Sequence, residues 1–81
     1  MGAGRVINNI RRLRFDAGEM TQQELADRVG VTRQTVNAIE LGKYSPSLEV
    51  AFRIADAFGV GLDDVFAYGT ADGNVKEGRT Q

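Results

Sequence analysis

Apolar residues recur along this chain at helical spacing, in short blocks separated by glycine. From about Val6 to Ala17, the positions Ile7, Ile10, Leu13 or Arg14, and Ala17 keep to one face, and Gly18 supplies a stop. Thr21 followed three residues later by Glu24 has the form of a capping box, in which hydroxyl and carboxylate each satisfy an unpaired backbone N–H. A second helix is therefore predicted over 22–29, with Leu25, Ala26 and Val29 inward and Gly30 at its end. Thr32 is again a capping type, Val36 and Ile39 lie three apart, and Gly42 can take the left-handed conformation that closes a helix. These signals predict a third helix over 33–41.

Ser47 caps a fourth segment, 48–58, whose Leu48, Ala51, Phe52, Ile54, Ala55 and Phe58 form a wide apolar face before Gly59. This is the expected central core helix. Leu62, Val65 and Phe66 make a last short helix, with Gly61 where a capping side chain would serve better. No segment alternates with period two for long enough to be a strand, so the expected class is all-α, a compact bundle of five short helices. The expected organisation is a flexible N-terminus over 1–5, one folded domain over 6–68, and a disordered tail over 69–81, where GTADGNVKEGRTQ is polar and without periodicity.

Composition narrows the chemistry. Eighty-one residues at 42% hydrophobic content suit a single small core. Histidine and cysteine are absent, which removes the commonest metal ligands, the commonest general base and any disulfide. Neither a metal nor a cofactor is expected, and enzymatic chemistry is a poor fit: Asp63 and Asp64 are adjacent carboxylates, but helical neighbours point about 100° apart and no nucleophile accompanies them. No apolar run approaches the roughly 20 residues that span a bilayer, and MGAGRVINN lacks a signal peptide's apolar core, so a cytoplasmic location away from membranes is expected.

The net charge of −1 hides an asymmetry. Residues 1–45 carry seven basic side chains against five acidic ones, and 46–81 carry three against six. A polyanion-facing surface therefore belongs to the first half.

The second and third predicted helices are separated only by Gly30, Val31 and Thr32. So short a connection forces the helices to cross steeply. The crossing needs a small residue at closest approach, a turn residue tolerant of positive φ, and two apolar residues facing back. Ala26, Gly30, Val36 and Ile39 fill those roles, giving a helix-turn-helix whose second helix is suited to the major groove.

The run from Thr21 to Phe66 resembles the Cro/C1-type (xenobiotic response element) helix-turn-helix family of bacterial, archaeal and phage regulators. The resemblance rests on LR at Leu13 and Arg14, TQxELA at 21–26, GVxRQT at 30–35, IE at Ile39 and Glu40, GK at Gly42 and Lys43, PSLE at 46–49, and the closing DDVF. It implies a lambda-repressor-like bundle and places base readers at Arg33, Gln34, Asn37 and Ala38. Those residue types suit base reading, because an arginine fork matches guanine O6 and N7, a glutamine or asparagine pairs with adenine, and a methyl touches thymine. For phosphate contacts, Gln22 matches the family's phosphate-binding glutamine and Lys43 with Tyr44 falls in the loop that the family lays along the strand, while Thr32 and Thr35 can donate by their hydroxyls; Thr32 also reads as a simple cap and Tyr44 as packing beside Pro46. Arg14 and Glu40 match a structural, partly buried salt bridge of the family.

Three departures stand out. Gly18, Glu19 and Met20 include one residue more than the common loop, Leu41 replaces a polar residue able to reach a phosphate, and Ala38 stands where some members carry a long amide.

The resemblance implies a sequence-specific regulator, most simply a repressor, bound to double-stranded DNA. One module contacts few base pairs, so a homodimer on an inverted-repeat operator is expected. Val65, Phe66 and Tyr68 are the candidate dimer surface, with Phe66 equally able to close the core. An antitoxin or adaptor of the same fold, acting through a protein partner, is the alternative.

Overall fold

A computed structural model of the chain describes residues 5–69. Five helices follow one another between two short strands: β1 (Arg5–Asn8), α1 (Ile10–Asp16), α2 (Gln22–Val29), α3 (Arg33–Glu40), α4 (Leu48–Phe58), α5 (Leu62–Val65) and β2 (Phe66–Gly69). The expected loose ends lie outside the described residues, except that Arg5 and Gly69 belong to the strands.

The five expected helices are present and the fold is mostly helical; the strands correct only the expectation that no segment would be extended. β1 and β2 pair antiparallel with Arg5 opposite Gly69, Val6 opposite Tyr68, Ile7 opposite Ala67 and Asn8 opposite Phe66. Val6 and Ile7 are β-branched and favour extended backbone, but four residues are too few for a period of two to register against a helical one. The first helix consequently starts at Ile10 rather than near Val6. Asn8 makes the transition, its Oδ1 accepting the Ile10 N–H at 3.0 Å, while the Asn9 N–H donates to the Val65 carbonyl at 2.8 Å.

The three central helices follow their local signals. At α2, the Thr21 hydroxyl accepts from the Glu24 N–H at 3.0 Å and the Glu24 carboxylate accepts from the Thr21 N–H at 2.8 Å, completing the capping box. Ser47 caps α4 by accepting from the Val50 N–H at 3.2 Å. Gly61 has no side chain to offer α5, and the Asp64 carboxylate compensates by accepting the Gly61 N–H at 3.0 Å. The adjacent carboxylates at 63–64 thus include one with a structural role.

The longer loop before α2 is absorbed by two successive left-handed residues, Gly18 at φ 82° and Glu19 at φ 60°. The turn delivers Met20 into the core, its N–H donating to the Arg14 carbonyl at 2.9 Å. Left-handed backbone is uncommon for a residue with a Cβ, so Glu19 carries local strain that the burial of Met20 offsets.

Ile10, Leu25, Val36, Ile54 and Val65 are completely buried, one from each helix, with Val29 and Ile39 nearly so. The core is therefore a single cluster to which every helix contributes. The apolar face of α4 is narrower than its sequence suggests: Ala51, Ile54 and Ala55 are buried, whereas Leu48 is 67% and Phe52 54% exposed. At about 100° per residue, Leu48 and Phe52 lie beyond the Ala55 edge of the stripe that meets α2 and α5. A second correction concerns the expected dimer surface. Val65 is fully buried and Phe66 packs half-buried against the core, leaving only Tyr68 of that trio exposed, opposite Val6.

Candidate nucleic-acid interface

The geometry of the interface starts at Gly30. With φ 87°, it closes α2 in the left-handed conformation, its N–H and that of Val31 both donating to the Ala26 carbonyl. A Cβ here would meet Arg53 Nη1 at 3.5 Å, an ordinary contact, so backbone conformation and not space demands glycine. Thr32 then opens α3, its hydroxyl accepting from the Thr35 N–H at 3.1 Å. Val36 and Ile39 turn inward, which leaves Arg33, Gln34 and Asn37 exposed on the opposite side and Ala38 half-buried beside them.

These exposed residues rest on a connected polar network. Arg14 from α1 meets Glu40 at the end of α3 through two parallel bonds, Nε to Oε2 at 2.6 Å and Nη2 to Oε1 at 3.0 Å. The same guanidinium donates to the Met20 carbonyl at 2.8 Å. Their side chains are 17% and 7% exposed, so this pair replaces apolar packing at the joint between α1 and α3. Glu40 Oε1 also accepts from Gln22 Nε2 at 3.2 Å, and Gln22 Nε2 reaches Asn37 Oδ1 at 3.1 Å. Arg33 Nη1 closes the chain on Gln22 Oε1 at 3.4 Å, a long bond that another acceptor could readily replace.

Five of the eleven residues singled out in the sequence are therefore in one network: Arg14, Gln22, Arg33, Asn37 and Glu40. Gln34 stands free of it. Thr32 and Thr35 form a separate couple with hydroxyls 3.0 Å apart. One hydroxyl proton is used between them, leaving one to donate outward. Lys43 and Tyr44 lie in the loop between α3 and α4, both exposed, where the Lys43 N–H donates to the Ala38 carbonyl at 2.9 Å.

Sequence reasoning left Arg11 unassigned. Its side chain lines an open hollow with Phe15, Gln22, Gln23 and Arg33, adding a basic group from α1 to the same edge. Arg11 stands in a run with Arg12 and Arg14, and nothing local marks which of the three faces that edge. Among the described residues, no group of acidic side chains could hold a metal ion, and no helix is long and apolar enough to cross a membrane.

Two short helices crossing at a three-residue turn, the second with a polar outer face, define a helix-turn-helix protein. The helix-turn-helix family model matches residues 10–65, and the chain belongs to that family in its Cro/C1-type form. It is similar to an uncharacterized HTH-type transcriptional regulator of Methanocaldococcus jannaschii, 57% identical over 49 residues, covering 60% of this chain and 74% of the relative. It is also similar to the uncharacterized HTH-type transcriptional regulator YgzD of Bacillus subtilis, 49% identical over 59 residues, covering 73% of this chain and 88% of the relative. Among solved structures, a hypothetical transcription factor, NHTF from Neisseria, superimposes with a TM-score of 0.65 at 32% identity, covering 69% of this chain and 62% of that one. A Bacteroides fragilis structure shares the fold, with a TM-score of 0.67 at 21% identity.

Proposed function

We propose that the protein is a transcriptional regulator that binds double-stranded DNA sequence-specifically, inserting α3 into the major groove and acting as a repressor by occluding a promoter. The observation that carries this reading is the exposed Arg33, Gln34 and Asn37 over the first turns of a helix braced from behind by Gln22, Glu40 and Arg14. Major-groove readout needs side chains able to pair with base edges on a support that does not yield, and both conditions meet here. Ala38 adds a methyl within the same face.

Phosphate contacts form a second group in this reading: Lys43 and Tyr44 from the loop, one of the Thr32 and Thr35 hydroxyls, and Gln22 at the positive end of α2. Gln22 must exchange its internal partners to donate outward. A single module reads few base pairs, so we propose a homodimer with recognition helices about 34 Å apart on an inverted repeat. The adaptor or antitoxin reading draws support from Leu48 and Phe52, two large apolar side chains exposed one turn apart on α4.

Selection from a random duplex library, followed by titration at several salt concentrations, tests the leading reading. The expected result is an enriched inverted-repeat site and an affinity that falls steeply as salt rises. Failure to enrich any sequence at low salt would hand the function to the partner-binding alternative. On the enriched site, Lys43→Ala should weaken all sequences alike and lower the salt slope by about one for each phosphate that Lys43 neutralises. A slope equal to that of the wild type would remove Lys43 from the phosphate group.

A further inference from the structure

The C-terminal end of α3 poses a physical problem for a helix lying between two phosphate walls. A helix ends in partial negative charge, the last residue here is Glu40, and no basic residue occupies the final turn. Leu41 follows, 59% exposed and without a hydrogen-bonding side chain. Arg14 compensates Glu40 from the inside and does not reach outward. Nothing on α3 itself therefore holds a phosphate at that end.

Strand β1 supplies what α3 lacks. Asn8 ties the strand to the helix end, its Nδ2 donating to the Ile39 carbonyl at 2.9 Å. That bond brings Arg5, Val6 and Ile7 to the edge of a hollow whose other wall is Glu40, Leu41 and Gly42. Arg5 is exposed, and its guanidinium has no ion pair or hydrogen bond among the described residues. Arg12, Arg14 and Arg53, by contrast, pair with Asp16, Glu40 and Glu49. Pairing with Gly69 fixes the backbone of Arg5. A contact through this side chain therefore orders only the side chain, at lower entropic cost than one from a loose terminus.

We propose that Arg5 is a DNA-backbone contact whose guanidinium takes a phosphate beside the C-terminal end of α3, at the end of the helix away from Arg33 and Gln34. The inference rests on the DNA-binding reading above and extends its interface from the helices to the strand pair. A guanidinium suits the position because it stays charged and binds two phosphate oxygens at once.

The test uses the whole chain and the duplex selected by the wild type, comparing Arg5→Ala, Arg5→Gln and Arg5→Lys. For the alanine and glutamine variants, affinity should fall by the same factor on the selected site and on its point variants. The salt slope should drop by about 0.9 for each phosphate no longer neutralised, so the variant's disadvantage shrinks about threefold per phosphate between about 50 and about 200 mM salt. Arg5→Lys should keep most of the slope. Thermal melting accompanies each variant; if the alanine form fails to fold, the lysine and glutamine pair decides. A wild-type slope in a folded Arg5→Gln overturns the inference, as does a loss confined to one base pair. A wild type that enriches no duplex overturns the DNA-binding reading itself, and this inference with it.

Discussion

Replacing Glu40 by alanine is expected to lower the melting temperature by about 10 °C or more, given the size of the domain. The substitution strands the Arg14 guanidinium, which the fold exposes to solvent by only 17% and which then keeps a single bond, to the Met20 carbonyl. Breaking one side of a buried ion pair costs about 3–5 kcal/mol, chiefly because the remaining charge has neither water nor a partner. The residual exposure of Arg14 and its Met20 bond put the present case near the lower end, about 3 kcal/mol. For a domain of this size each kcal/mol moves the midpoint by about 4–8 °C. Replacing both partners by methionine should recover most of the loss, since it removes the stranded charge while filling the joint. A Glu40→Ala protein melting like the wild type would show that the pair does not hold the fold together.

Replacing Arg33 by alanine should leave the fold intact and change what the protein reads. Arg33 is the first residue of α3, exposed, and its guanidinium bonds only to Gln22, at 3.4 Å. So little native bonding is removed that the melting temperature should move little. On DNA, losing a bidentate arginine pairing costs about 1–3 kcal/mol of discrimination, a roughly 5- to 150-fold loss at one position of the operator. Competition among operator point variants would measure it: the wild type should discriminate at that position and Arg33→Ala should not. Lys43→Ala should instead preserve every preference while weakening them together. If the two variants behave identically, base reading and phosphate holding are not divided between α3 and the following loop.

What could be read from the sequence was what is settled locally. The capping box of Thr21 and Glu24, the caps at Thr32 and Ser47, and the left-handed closures at Gly30 and Gly59 fix α2, α3 and α4 because each signal lies within a few residues of the bond it makes. The strands depend on a partner at the opposite end of the described chain, and neither Val6-Ile7 nor Ala67-Tyr68 announces it. The exposure of Leu48 and Phe52 escaped for a related reason. Periodicity reports that a stripe is apolar, but which part is covered depends on where α2 and α5 lie. For the interface, residue types at the start of α3 suggested base reading, while the bonds joining Gln22 to Asn37 and Glu40 follow from the helix crossing and could not be read from spacing.

The strand pair also bears on the order in which the molecule assembles. Joining residues on either side of all five helices closes almost the entire described chain into a loop, and that entropy is recovered only once the helices have packed. The ribbon should therefore form late in folding and open early, with backbone amides of β1 and β2 exchanging with deuterium sooner than those of α2 and α4. Each such opening frees Asn8 from Ile39 and so slackens the C-terminal end of α3 while the rest of the domain stays folded. Bound DNA that engaged Arg5 would hold the ribbon closed, and the exchange rate of its amides would then report occupancy of the operator.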